Sequence, residues 1–413
     1  MFSSKDLFFT PPATTGYQIA KSLRFRSSAS AYLNRPASTP TAQNTWTLSW
    51  WMKLGKLGVA SDIFSAGAAN RLEVSISSSG NLSVADASTT FLNTNNLLRD
   101  PSAWYHCVLR ANGTGAAMQL YVNGVATSNS LTNNLTTSYW NASGVTQYIG
   151  ALGGFSSNYF DGYLADVIFI DGQSLAPTSF GESNATTGVW QPKAYSGSGY
   201  GNNGFWLKFT DVGATSGSNA GYGKDFAGTN YWTTNNFGTT STSYTYDSMV
   251  DTPTPYDNTG NGVGNYPTFN PLTKVNGTAF ATLSNGNLQT TTGNNVSTST
   301  MPIPTSGKWY MEFELTTAAY PEFAIANLSF SGAGTNSNGF GFYNGTWFAN
   351  GTATGTSSAW PSSSGHICLV AVDVDNNKLW MGVNKSGTVT WAGGGDPGAG
   401  TTPTWSASGG GGA

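Results

Sequence analysis

Apolar and polar positions alternate with a period of two along much of this chain, as expected of strands that bury one face. One hairpin pattern occurs twice. The first copy is Trp104-Tyr105-His106-Cys107-Val108-Leu109-Arg110, a turn, and then Met118-Gln119-Leu120-Tyr121-Val122-Asn123-Gly124. Asn112-Gly113 and Gly115 supply the positive φ that the reversal needs. The second copy runs over 367–374, turns at Asp375-Asn376-Asn377-Lys378 and returns as Leu379-Trp380-Met381-Gly382-Val383-Asn384. Two such hairpins, far apart in sequence, predict two sheet domains of related build. In the segment 46–53, Trp46, Leu48, Trp50 and Met52 fall on one face. Further strands are expected at 62–65, 72–76, 81–84, 147–150 and 160–172, spaced as in a sandwich.

A chain of 413 residues exceeds one ordinary domain. Only 9% of residues are charged and the net charge is −3, so no basic surface for nucleic acid is expected. Aromatic residues make up 13% and glycines number 52; low charge with many aromatics argues against disorder and for an all-β chain rich in turns. No apolar run reaches 18 residues, so no membrane-spanning helix is expected. The first residues, Met1-Phe2-Ser3-Ser4-Lys5-Asp6-Leu7-Phe8-Phe9, lack the apolar core of a signal peptide. Cys107 and Cys368 fall on strands of different domains and are expected to be buried thiols.

The pattern divides the chain into five parts. Residues 1–21 form an arm whose Phe2, Leu7, Phe8 and Phe9 could serve as an anchor. A first sandwich covers 22–204. Residues 205–271 are an irregular bridge, ordered by Trp206, Trp232, Tyr266 and Phe269 among Gly, Asn, Thr and Ser. A second sandwich covers 272–405, and 406–413 are a Gly-rich tail.

The motifs Ala20-Lys21-Ser22-Leu23-Arg24-Phe25, Tyr32-Leu33, Trp104-Tyr105-His106-Cys107-Val108, Leu120-Tyr121-Val122-Asn123-Gly124 and Phe160-Asp161-Gly162-Tyr163-Leu164-Ala165-Asp166-Val167 occur in order. With the strand at 46–53 they resemble the laminin-G-like branch of the concanavalin-A-like jelly rolls. The second part, with Gly307-Lys308-Trp309-Tyr310-Met311-Glu312-Phe313, Ala324-Ile325-Ala326, Gly339-Phe340-Gly341-Phe342-Tyr343-Asn344-Gly345 and the 367–384 hairpin, resembles the SPRY domain, another concanavalin-A-like sandwich. His366 stands where that family usually has an acidic residue, and the family's last strands are not evident before Ala413. A laminin-G-like domain joined by such a bridge to a second sandwich is similar to structural proteins of tailed bacteriophages. The resemblance implies two jelly-roll sandwiches, the second either lacking its last strands or continued in a longer polypeptide.

Some relatives with this fold are glucanases, whose retaining members use a Glu-x-Asp-x-(x)-Glu strand; no such motif occurs here. Glu312 and Glu314 share a strand face at roughly 7 Å, but the resemblance gives the first of them a non-catalytic counterpart. No Gly-x-Ser-x-Gly elbow accompanies the two histidines, and two Cys with two His in different domains make no zinc site. Laminin-G-like domains sometimes hold calcium at a loop rim, which makes Asp86, Asp161 and Asp166 the candidate ligands. Sugars stack their C–H faces on aromatic rings. Tyr139, Trp140, Phe155 and Tyr159 in the first sandwich, and Trp347, Phe348 and Trp360 in the second, are therefore candidates for carbohydrate or partner contacts.

The sequence reading is a non-enzymatic, all-β adhesion protein of a bacteriophage particle, assembled in the host cytoplasm. Its expected partners are host-surface glycan, other virion proteins and further copies of itself. No cofactor other than calcium is expected. A decoration or head-fibre scaffold and a polysaccharide depolymerase are the alternatives.

Overall fold

The computed structural model describes residues 16–67, 72–85, 89–116, 118–134, 137–153, 157–255, 262–272, 282–290, 297–317, 322–326, 339–343, 345–349, 352–356 and 359–406. It is all-β. The first sandwich faces two eight-stranded antiparallel sheets against each other. The 10-residue strands Thr45–Leu54 and Gly162–Asp171 form the middle of one sheet. Tyr105–Asn112 and Gln119–Val122 extend it on one side, Ser22–Phe25 on the other. The second sheet runs Asn129–Thr132, Thr90–Leu97, Asn81–Ala85, Leu72–Ile76, Ser61–Ala66, Thr146–Ile149, Tyr32–Pro36 and Thr233–Asn235. Trp46, Leu48, Trp50 and Met52 point together into the core between the sheets, as their spacing predicts. There they meet Phe64, Val74, Leu82, Leu92 and Ile149 from the opposite sheet. Gly150, at φ +86°, lies where a Cβ would run into the Phe25 ring, so this position takes only glycine.

The first sheet is buried on its outer face as well. Trp51 and His106 lie outside the main core, under Trp190; the His106 ring stacks at 4.6 Å on Trp51 and 5.9 Å on Trp190. Ile19, Trp104 and Tyr163 pack beside Trp51, while Phe180, Tyr195 and Tyr200 cover Val108, Ile168 and Ile170.

Residues 205–266 do more than bridge two units. Phe205–Leu207 pairs with Gly162–Asp171, Thr233–Asn235 with Tyr32–Pro36, and Ser248–Met249 with Ser22–Phe25. The segment therefore belongs to the first sandwich, which it completes in both sheets. Buried ions hold it there. Asp247 accepts from Arg24 Nε at 3.0 Å and from Arg26 Nε at 2.8 Å, with side-chain exposures of 0%, 2% and 9%. Asp251 pairs with Lys53 Nζ at 2.8 Å. The turn at 285–287 docks on the same sandwich: Arg24 Nη1 donates to the Asn285 carbonyl, Tyr163 Oη to that of Gly286, and Asn287 Nδ2 to that of Gly55.

The second sandwich is smaller. One sheet runs Lys308–Glu314, Ile367–Asp373, Lys378–Lys385 and Thr388–Trp391, with Trp405–Ser406 also pairing along Lys378–Lys385. The other runs Glu322–Ala326, Gly339–Tyr343, Thr346–Ala349 and Thr352–Thr356. Phe342, Trp347, Trp360, Val370 and Met381 fill the space between. Both cysteines are free and buried. The repeated hairpin thus supplies central strands to two separate cores.

Removing Asp247 would leave two guanidinium groups buried without their carboxylate. Asp247→Ala is expected to cost about 3–5 kcal/mol in urea unfolding. Glu182→Ala, at the exposed Lys193–Glu182 pair (3.8 Å), is expected to cost under about 1 kcal/mol.

Candidate functional site

Because the first sheet is covered, the open broad surface of the first sandwich is the outer face of the second sheet. Strand alternation decides what that face carries. In Tyr32–Pro36, Leu33 enters the core, so Tyr32 and Asn34 point outward. In Thr146–Ile149, Ile149 enters the core, so Thr146 and Tyr148 point outward. Tyr32 has Tyr148 on one side and Tyr159 on the other, each at a ring-centroid distance of 6.2 Å. All three rings are half-buried. Burial, then the neighbouring Tyr159 and Tyr148, push the Tyr32 phenol above its ordinary value, so it remains a neutral hydrogen-bonding group. Beside the row, Asn235 Nδ2 donates to Asn34 Oδ1 at 2.8 Å.

The row ends in a cleft of about 200 Å³ lined by Ser27, Lys56, Ser61, Asn158, Tyr159 and Asp161. Asp161 Oδ2 accepts from the backbone N–H and hydroxyl of Ser27, at 3.1 and 2.8 Å. The Asp161 carbonyl accepts from the Gly55 and Lys56 amides, which shapes the loop at the rim. The site thus combines aromatic faces, amides, hydroxyls, one ammonium and one carboxylate.

Of the sequence-derived candidates, only Tyr159 lies in this row. Tyr139 is half-buried against the core. Trp140 is corrected from loop to core: it is 1% exposed and packs edge-on against Phe64 and Phe169. Trp347 and Trp360 likewise turn inward, onto Phe342, because their neighbours fill the small second core. Phe348 is half-buried beside Phe340 and Trp405. Phe155 and Asp86 lie outside the described residues. Tyr32 and Tyr148 were not singled out from the sequence, although their alternation with Leu33 and Ile149 carries the signal.

Asp166 is 4% exposed and sits at a strand irregularity with φ +48°. It accepts from Tyr17 Oη at 3.3 Å and from Trp206 Nε1. Asp161 and Asp166 therefore belong to different hydrogen-bond networks. Among the described residues no group of three or more His, Cys, Asp or Glu is placed to hold a metal ion. Glu312 and Glu314 are exposed on an open strand face, where Tyr310 Oη donates to Glu312 at 2.5 Å. His106 is fully buried; its Nδ1 accepts from Trp190 Nε1 and its Nε2 donates to Ser49 Oγ, each at 2.9 Å. Burial lowers its pKa to about 3, so it stays neutral and holds Trp190 over the sheet. Burial pushes both thiols up, Cys368 to about 12, which removes them as nucleophiles.

Residues 27–178 match the laminin G family model described as the concanavalin A-like lectin/glucanases superfamily. The first sandwich is a laminin-G-like domain. Solved structures with a similar fold include a native heptameric SAP-like pentraxin from Limulus polyphemus, at 18% identity and TM-score 0.30 over 39% of this chain and 80% of that one. The CBM40 domain of a Ruminococcus gnavus IT-sialidase bound to α2,3-sialyllactose aligns at 15% identity and TM-score 0.26, over 36% of this chain and 85% of that one. Domains LG4-5 of the mouse laminin α1 chain align at 10% identity and TM-score 0.32, over 96% and 83%. No curated protein matches this sequence. No helix among the described residues is long and apolar enough to cross a membrane.

Burial raises the Asp166 carboxyl to about 6, against donation from Trp206 and Tyr17. A raised folded-state pKa stabilises the fold below the unfolded value and loses that contribution as pH rises through about 6. The loss is on the order of 3 kcal/mol. Asp166→Asn keeps an acceptor oxygen and tolerates positive φ. Its stability is expected to match wild type near pH 4 and exceed it near pH 7.5, as read by thermal unfolding across that range.

Proposed function

We propose that this protein is a non-catalytic carbohydrate-binding protein, and that the first sandwich takes a glycan along the Tyr148–Tyr32–Tyr159 row. The row is the observation that carries this reading. Half-buried tyrosines present rigid apolar faces with polar rims, and the alternate faces of pyranose rings stack on such surfaces. The amides of Asn34 and Asn235 and the groups of the adjoining cleft supply hydrogen bonds to hydroxyls. The lectin-type family description of the first sandwich supports the same reading. Glu312 and Glu314 are both exposed on a strand face, which does not favour glycosidic cleavage.

The sequence resemblance extends the reading to a bacteriophage particle. There the sandwich would face host-surface glycan, while other parts of the chain contact virion proteins or further copies. Low charge and an abundance of uncharged polar residues suit such an exposed, assembled component. Asp161, at the rim of the cleft, is the candidate calcium ligand nearest the tyrosine row.

The test is binding of the purified chain to host-cell polysaccharide by calorimetry, with wild type compared to Tyr32→Ala and Tyr159→Ala. Each substitution is expected to weaken binding about five- to tenfold, at a stacking loss of about 1–1.5 kcal/mol, while leaving the melting temperature within a few degrees. Saturable binding that both substitutions leave unchanged would place the glycan elsewhere. No binding by folded wild type, together with capture by virion proteins, would support the scaffold alternative.

A further inference from the structure

A second site lies on the opposite side of the sandwich, where Lys53 leaves the Thr45–Leu54 strand beneath the 250–266 segment. Its side chain is 0% exposed. Nζ donates to Asp251 Oδ2 at 2.8 Å, to Asn265 Oδ1 at 2.9 Å and to the Tyr266 carbonyl at 2.6 Å. Asp251 is fixed in turn: its Oδ1 accepts from Trp104 Nε1 at 2.9 Å and from the Tyr266 amide at 3.2 Å. Asn265 Nδ2 donates to the Ser102 carbonyl at 2.8 Å, which directs the amide oxygen toward the lysine. An amine, a carboxamide and a carboxylate thus meet beside Trp104 and Tyr163.

We propose that Lys53 and Asn265 are joined by an intramolecular amide bond, formed by the protein itself with Asp251 as the proton carrier. The groups are those the reaction requires. Asp251 takes a proton from the Lys53 ammonium and leaves a neutral amine. A turn about the Asn265 Cβ–Cγ bond presents Cγ to Nζ, the Nζ–Cγ bond forms, and the carbonyl oxygen carries the charge of the tetrahedral intermediate. Asp251 passes that proton to Nδ2 and then takes the second proton from the Nζ of the intermediate, the Cγ–Nδ2 bond breaks, and ammonia departs, carrying the remaining proton from Asp251 into water as ammonium. One amine and one primary amide give one secondary amide and one ammonia; nothing is oxidised or reduced and no co-reactant is needed.

The surroundings favour each step. Burial lowers the Lys53 pKa against the attraction of Asp251, and raises that of Asp251 against the attraction of Lys53, so proton exchange within the pair is easier than in water. The reacting groups are held together by the fold, which removes the entropic cost of bringing them into contact. Asn265 is solvent-exposed on its outer side, so ammonia leaves directly into water. The bond would tie the closing segment to a central strand, and it is independent of the glycan reading.

Intact mass and peptide mapping of the full-length protein test this. The expected chain is lighter than its sequence by one ammonia, and trypsin fails to cut after Lys53. A branched peptide joins Lys53 to Asn265. Asn265→Ala, at an exposed position, is expected to fold, regain the full sequence mass less the substituted atoms, and release the Lys53 peptide unbranched. Separate Lys53 and Asn265 peptides from folded, aged wild type would overturn the proposal. So would loss of water with a branch at Asp251. Succinimides at Asn-Gly pairs, Asn112–Gly113 and Asn203–Gly204 among them, also shed ammonia, and ammonia loss confined to such pairs, without a branched peptide, would overturn it as well.

Discussion

Two buried carboxylates, Asp247 and Asp251, hold the first sandwich closed. Each sits more than 190 residues from its cationic partners, Arg24, Arg26 and Lys53. The strands they bring in are two or three residues long and could not stay paired through backbone hydrogen bonds alone. Ions removed from water are costly unless their remaining hydrogen-bonding capacity is met. Here it is met: Arg24 also donates to the carbonyls of Tyr244, Tyr246 and Asn285, and Asp247 also accepts from Gly238 N–H. The ion pairs therefore specify where the late segment docks, while the aromatic core supplies most of the driving force.

That docking makes the two sides of the sandwich unlike. The chain between 173 and 204, the arm from Tyr17 and residues 249–255 and 262–266 together cover one sheet. The other sheet keeps an outer face of tyrosine, asparagine, serine and threonine. An open surface and a covered surface thus lie on opposite sides of one core. The covered side carries the ion pairs of Asp247 and Asp251, and the open side carries the tyrosine row.

The main strands were legible because alternation is strict where one face is buried and the other is not. Residues 46–53, 160–172 and both hairpins read correctly for that reason. The closing segment did not, since strands such as Phe205–Leu207 are too short to show a period, and their partners are fixed by ions and amides from distant sequence. Trp140 misled for a related reason. It follows Tyr139 in a turn-rich stretch, but the Gln147 side chain donates to its carbonyl and the ring swings into the core. Tyr32 and Tyr148 were readable in principle. Each occupies the polar phase of a strand, and an aromatic residue in that phase is a ring left facing water.

The pairing of Ser22–Phe25 with Ser248–Met249 has a consequence for how the protein is made. A chain emerging from the ribosome presents its first strand early and the strand's outer neighbour more than 220 residues later. Until then the sheet ends in an unpaired edge, and Arg24 and Arg26 lack their counter-ion. Contacts of such long range slow folding and lengthen the life of association-prone intermediates. Synthesis speed and nearby nascent copies therefore bear on the yield of this protein.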